Sequence, residues 1–245
     1  MIDVYPVQAL IRLISWEHFF YTWHVKSGTE ESTRLRTEAE QFLNEWEDRI
    51  SVRFLYQGFE AHSEDDDIVM GGKRIPFLRQ QIPNSEGYCL CMSDFVHANH
   101  DEVYVFATSV QQPPSQDLDD PYSSLLSQTI SDRLAEAAAE KLQMQLVEEG
   151  RLSGHQVIRP AVGYPMIPDM SINFLLNELC DMSRIGIQLT ENGMMHPHAS
   201  VSGFMIANPH ACYFTVGPIS EEQLTDYARR RGYTIERMRK FINAL

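Results

Sequence analysis

A chain of 245 residues, 43% apolar and 22% charged, can bury a substantial core and is not the composition of a disordered protein. Its formal net charge of -14 argues against nucleic-acid backbones and anionic membrane surfaces as partners, since both would repel it. No apolar run reaches bilayer length, and the start, Met-Ile-Asp-Val-Tyr-Pro, lacks the basic-then-apolar order of a secretory leader, so a cytoplasmic protein is expected.

Apolar side chains at Leu35, Ala39, Phe42, Leu43, Trp46 and Ile50 recur at the helical period and predict an amphipathic helix over 31–50. Residues 52–59 and 67–70 flank an acidic turn, with Gly71-Gly72 after the second run, which reads as a β-hairpin. Further strands are expected over 88–96 and 103–110. Cys89 and Cys91 would share one face of the first of these, so neighbouring core thiols are favoured over a metal site with His97 and His100. With Cys180 and Cys212, the cysteines are too scattered for a disulfide framework. Residues 111–118, with Gln111-Gln112-Pro113-Pro114-Ser115, form the clearest linker in a single domain spanning 1–245, between an N-terminal half (1–110) and a C-terminal half (119–245).

Leu125, Leu126, Ile130, Leu134, Ala138, Leu142 and Leu146 then mark one long helix that Gly150 stops. A helix over 172–182 and a hairpin of strands 200–207 and 211–217, turned by Asn208-Pro209-His210, follow. Ser220-Glu221-Glu222-Gln223 opens a helix that Gly232 ends, and Thr234 caps a last one. Strands in runs, joined by turns rather than crossover helices, predict an α+β fold with an antiparallel sheet and long flanking helices. No glycine-rich dinucleotide or phosphate loop is present.

Between these elements stands Arg159-Pro160-Ala161-Val162-Gly163-Tyr164-Pro165. Pro160 drives Arg159 toward extended geometry, Gly163 lets main chain approach a ligand, and a guanidinium on such a stiff frame can grip a carboxylate with two parallel hydrogen bonds. A proline-rich surface turn with a solvated arginine would have the same sequence.

Four motifs decide between them: Asp132-Arg133-Leu134-Ala135-Glu136-Ala137, then RPAVGYP at 159–165, LTENGMMHPHASVSGF at 189–204, and YFTVGPISEEQLTDYARRRG at 213–232. In this order, the chain resembles the activation domain of cobalamin-dependent methionine synthase. Trp16 with Phe19 to Trp23, Leu78-Arg79-Gln80-Gln81 and Asp94-Phe95-Val96 extend the resemblance over nearly the whole chain. The family implies binding of S-adenosylmethionine and reductive methylation of cob(II)alamin, with a flavodoxin-like electron donor. It implies that Arg159 binds the ligand's carboxylate, that backbone at Ala161, Gly163 and Tyr164 approaches the adenosyl group, and that Glu136 meets the cationic end. Tyr213 adds an aromatic or hydroxyl contact. Without the family, Glu136 is an exposed acid about 200° around its helix from Leu134, suited to a simple pair with Arg133. Tyr164 and the turn holding Met194, Pro197 and Val201 would face the corrin. No Ser-His-Asp or Cys-His set is found, and His18, His24, His97, His100 and His155 lie in no motif, as suits a component that is not catalytic alone.

Departures from the family sharpen the expectations. Ser15 stands where an aspartate is typical, removing one partner of the ligand's ammonium, and Ser153 stands where a glutamate is frequent. His196, beside His198, replaces the more usual tryptophan. The chain shows no cobalamin-binding signature, so the resemblance implies action in trans on a separate cobalamin-carrying methionine synthase polypeptide. A basic cluster over 229–240, including Arg230 and Arg237, is the expected docking surface for that polypeptide or the reductant. Reactivation of another corrinoid methyltransferase, and a ligand-binding scaffold that has lost the reaction, are the competing readings.

Overall fold

A computed structural model describes residues 1–112, 120–152 and 156–242. Its centre is β2 (Ser51–Glu64), paired along most of its length with β5 (Asp101–Gln111), Val52 opposite Val110 and Ala61 opposite Asp101. The other edge of β2 takes β1 (Ile2–Tyr5) near its start and β3 (Asp67–Met70) near its end, and β3 takes β4 (Lys73–Pro76). On the far side β5 pairs with β9 (Ser200–Ala207), and β9 with β6 (Val157–Ile158), completing a seven-stranded sheet, while β7 (Gln188–Leu189) and β8 (Met195–His196) form a separate pair. All these pairings are antiparallel. The β5–β9 ladder joins the two halves of the chain within one sheet.

Alternate residues of each strand point to opposite faces, and the sheet divides the core accordingly. Phe54, Tyr104, Phe106 and Val201 face α3 (Pro121–Glu148), while Leu55, Val105, Phe204 and Ile206 face α4 (Ile172–Cys180) and its neighbouring loops. Buried alanines 135, 138 and 139 bring α3 against the sheet, close enough for the buried Thr108 hydroxyl to donate to the Ala135 carbonyl at 2.9 Å. On the same face lie α1 (Trp16–Thr22), tied to α3 by Trp23 Nε1 donating to Thr129 Oγ1 at 3.0 Å, and α2 (Glu30–Glu45). Thr29 caps α2 through a capping box, and a short 3-10 turn at Glu47–Arg49 completes the helical region read from the periodicity.

Two expected strands differ. Residues 88–96 form extended chain and a 3-10 turn (Met92–Phe95) instead of a strand. Their polar groups are taken by side chains rather than a neighbouring strand: Arg79 donates to the Cys89 carbonyl and to both Asp94 oxygens, and Asp94 in turn accepts from Cys91 N–H. Cys91 is buried and Cys89 only half-buried, so they are not side by side in a core. No metal-ligating cluster occurs among the described residues. The second departure is the hairpin expected over 200–217: β9 forms, but its edge is occupied by β6, and residues 211–217 form no strand. Gln111 still belongs to β5; residues 113–118 of the expected linker, Ser153 and His155 lie outside the described residues.

The C-terminal helices α5 (Glu221–Arg231) and α6 (Ile235–Ile242) pack a third apolar cluster around Tyr227, Met238 and Phe241. Ser220 caps the first through Gln223 N–H, and Gly232 ends it in the left-handed region at φ 73°, as read from the sequence. A buried ion pair fixes α5 to the body: Arg231, its side chain 4% exposed, donates to Asp169 at 3.2 Å, and Asp169 also accepts from Ser171 and the Tyr227 hydroxyl. Among the described residues no helix is long and apolar enough to cross a membrane.

Two substitutions test this packing. Asp169→Ala leaves Arg231 buried and uncompensated and is expected to cost about 3–5 kcal/mol in urea unfolding; a change within error would mean the pair is dispensable. On Gly203, a Cβ would overlap the Pro160 carbonyl oxygen and stand 2.9 Å from Ala161 Cα. Gly203→Ala is therefore expected to cost about 1–3 kcal/mol, and unchanged stability would contradict that approach.

Candidate functional site

The site grows out of the edge of the sheet. Beyond Ile158, chain 159–162 continues alongside β9: Phe204 N–H donates to the Pro160 carbonyl at 3.1 Å and Val162 N–H to the Ser202 carbonyl at 2.9 Å, with Ala161 opposite Gly203. Pro160 offers no N–H to this pairing and needs none. Gly163, at φ 89°, then turns the chain, its N–H bonded to the Ile167 carbonyl at 2.9 Å, and this turn projects Tyr164. Gly163 thus acts through its backbone conformation.

Three contacts hold Arg159, whose side chain is 14% exposed. Its backbone N–H donates to the Tyr213 hydroxyl at 2.8 Å, its Nε donates to Gln143 Oε1 at 3.3 Å, and its guanidinium carbon stands 6.0 Å from the centre of the Phe106 ring. Nη1 lies 3.8 Å from Glu136 Oε2, and the Tyr164 hydroxyl donates to Glu136 Oε1. Burial, then the Glu136 charge, pushes the Tyr164 phenol well above its usual range. Glu136 therefore does not make the simple surface pair with Arg133 that its helix spacing suggests; the tertiary fold brings Arg159 and Tyr164 to it.

A cleft of about 380 Å³ opens here, lined by Glu136, Arg159, Ala161, Tyr164 and Tyr213 with Pro160, Pro165, Met166, Phe214 and Thr215. One end is charged and the opposite wall apolar and aromatic. A second depression of about 370 Å³ adjoins it, sharing Glu136, Arg159 and Tyr164, and is completed by Leu13, Ser15, His18, Arg133, Ala137 and Glu140. Ser15 therefore does reach the charged end, but its hydroxyl is 2.9 Å from His18 Nδ1 and carries no charge. Sequence reasoning missed Gln143, Glu140, Phe214 and Thr215. The first two follow Glu136 at seven and four residues on the same helix face, a signal the spacing contains; the last two sit in the stretch read as a strand.

Other expected residues scatter. Tyr164 and Met194 are exposed, at 47% and 41%, and Pro197 follows a cis peptide bond in the surface turn. Val201 must be corrected: it is 7% exposed, paired with Thr108 in the sheet and packed under α3, so it does not present a surface to a corrin. Arg230 is corrected as well. Its guanidinium is internal, paired with Asp67 and with Asp226 and bonded to the Phe77 carbonyl, so it fastens α5 to β3 and is no free docking charge. Arg237 donates to the Glu191 carbonyl at 2.7 Å and lies over Phe241. His196 is exposed, and His198 is 3.3 Å from Asp132.

The model of the family described as vitamin B12 dependent methionine synthase, activation domain, matches residues 6–232. A crystal structure of the MetH reactivation domain bound to AdoHcy superposes with a TM-score of 0.88 at 26% identity, covering 99% of this chain and 89% of that one. With a family match over nearly its whole length and the same fold, the chain belongs to the activation domains of vitamin B12-dependent methionine synthase.

Proposed function

We propose that the cleft over Arg159 binds S-adenosylmethionine and that the protein supports reductive methylation of a cobalamin carried by a methionine synthase. The observation that carries this reading is the Arg159 guanidinium, held by Gln143 and Phe106 while the Tyr213 hydroxyl accepts from the Arg159 backbone N–H and Glu136 faces the guanidinium across 3.8 Å. One fixed cation and one carboxylate at the same end of an apolar cleft suit the α-carboxylate and α-ammonium of an amino acid joined to an adenosyl group. The binding of AdoHcy by the similar reactivation domain supports the same assignment.

Within the Arg159 guanidinium only Nε makes a hydrogen bond among the described residues, leaving the outer nitrogens for a bidentate grip on the carboxylate. Pro165, Met166 and Phe214 give the adenosyl group an apolar bed. The sulfonium supplies the leaving group and the cobalamin the nucleophile, so these residues need only bind and orient the methyl donor. In this reading the cobalamin belongs to a separate methionine synthase polypeptide, Tyr164 and Met194 meet the corrin, and a flavodoxin-like protein delivers the electron. Family membership supports an encounter with a cobalamin domain.

Tyr164 must also let go. Its hydroxyl occupies the carboxylate that the ligand's ammonium seeks, so binding exchanges the Tyr164–Glu136 bond for an ammonium–Glu136 bond.

Calorimetric titration with S-adenosylmethionine is expected to show saturable binding that weakens about 10- to 100-fold in Arg159→Ala, the loss of hydrogen bonds to a charged group worth about 1.5–3 kcal/mol. An absence of saturable binding by the unmodified protein would overturn the reading. In Glu136→Gln, the negative charge that disfavours the phenolate is gone, so Tyr164 is expected to ionise at lower pH than in the parent. Ultraviolet difference titration against Tyr164→Phe isolates that step, and an unchanged midpoint would mean that Glu136 does not govern Tyr164.

A further inference from the structure

The second depression asks for a ligand group of its own. Ser15 and His18 form one wall, and α3 forms the other with Arg133, Glu136 and Glu140. Glu136 already serves two partners, the Tyr164 hydroxyl and Arg159. The Ser15 hydroxyl is taken up locally by His18. Glu140 is exposed, lines the depression, and has no hydrogen bond or ion pair among the described residues.

Residues four apart on a helix stand roughly 5–6 Å apart at Cβ. Two carboxylates at that spacing repel each other, and a cation between them turns the repulsion into attraction on both sides. Neither arginine pairs with Glu140 among the described residues: Arg159 Nε is bonded to Gln143, and Arg133 lies nearly two turns before Glu140. They leave the depression with two positive and two negative side chains, the balance of a zwitterion's receptor.

We propose that Glu140 is the second carboxylate for the ligand's α-ammonium, which sits between Glu136 and Glu140 while its α-carboxylate lies on Arg159. This rests on the reading of the cleft given above and assigns to Glu140 the selection of amino-acid-bearing adenosyl ligands. It supplies a second carboxylate to a site whose Ser15 carries no charge. The ammonium gains a partner one turn along α3 that no other protein group competes for.

The test uses the full chain and two probes: S-adenosylhomocysteine, and its analogue with hydrogen in place of the α-amino group. Affinities are measured by calorimetry for the parent and for Glu140→Gln, with Glu140→Ala as a second variant. Because Glu140 is exposed, both variants should keep the parent's unfolding midpoint. S-adenosylhomocysteine is expected to bind about tenfold or more weakly to either variant, while the analogue binds parent and variants alike. Equal affinities of parent and variants for S-adenosylhomocysteine, or an equal loss for both probes, would overturn the role of Glu140 and leave the cleft assignment standing. If the parent binds neither probe, the cleft assignment itself falls, and the role of Glu140 with it.

Discussion

The pairing of chain 159–162 against β9 is the constraint on which the site depends. The Pro160 carbonyl, the Phe204 and Val162 N–H groups and the Ser202 carbonyl fix the height and direction of Arg159. Gly203 lets the two backbones approach more closely than any side chain would allow. Because β9 is itself laddered to β5 in the middle of the sheet, the position of one guanidinium is set by the most buried part of the molecule. A loop carrying the same residues would hold Arg159 with the precision of a loop.

Against this fixed cation the fold sets a long helix whose two faces do different work. Leu134, Ala135, Ala138 and Leu142 bury one face on the sheet, with alanines setting the distance. That distance places Arg133, Glu136, Glu140 and Gln143 over the segment from the other face. Helix and strand segment then lock through the Arg159–Gln143 bond and the Tyr164–Glu136 bond. In the proposed complex the locking groups are also the ligand's groups, so the free protein would hold its own site in order and give up one of those bonds on binding.

The rest of the charge is used internally more than the sequence suggests. Arg79, Arg230 and Arg231 each satisfy two or more acceptors at least partly out of solvent, and they pin the irregular segments 77–95 and 167–171 that a ladder does not hold. Cations in a strongly acidic chain thus act as fasteners for the loops behind the site. Removing one partner of such a pair strands a buried charge, which is why these pairs matter more than those on the surface.

The sequence by itself determined the helices from α2 onward, the central strands and the family. Their signals are local: a 3.6-residue stripe for α2 and α3, strand-like runs bounded by turn residues for β2 and β5, and caps at Ser220 and Gly232 read directly from residue type. The motif at 159–165 stands out because proline, glycine and arginine constrain backbone and chemistry wherever they stand, whereas the acid at 136 is singled out only by the family resemblance. Tertiary structure alone decided which edge each strand meets, so 211–217 lost its place beside β9 to a two-residue β6 that carries no signal of its own. It alone decided that Val201 points into the core and that Arg230 is spent on Asp67, since both depend on partners more than ninety residues away in the chain. And it decided that Glu136 bonds directly to Tyr164 and faces Arg159 rather than pairing with Arg133, because a half-buried cleft rewards a hydrogen-bonded partner that solvent cannot replace.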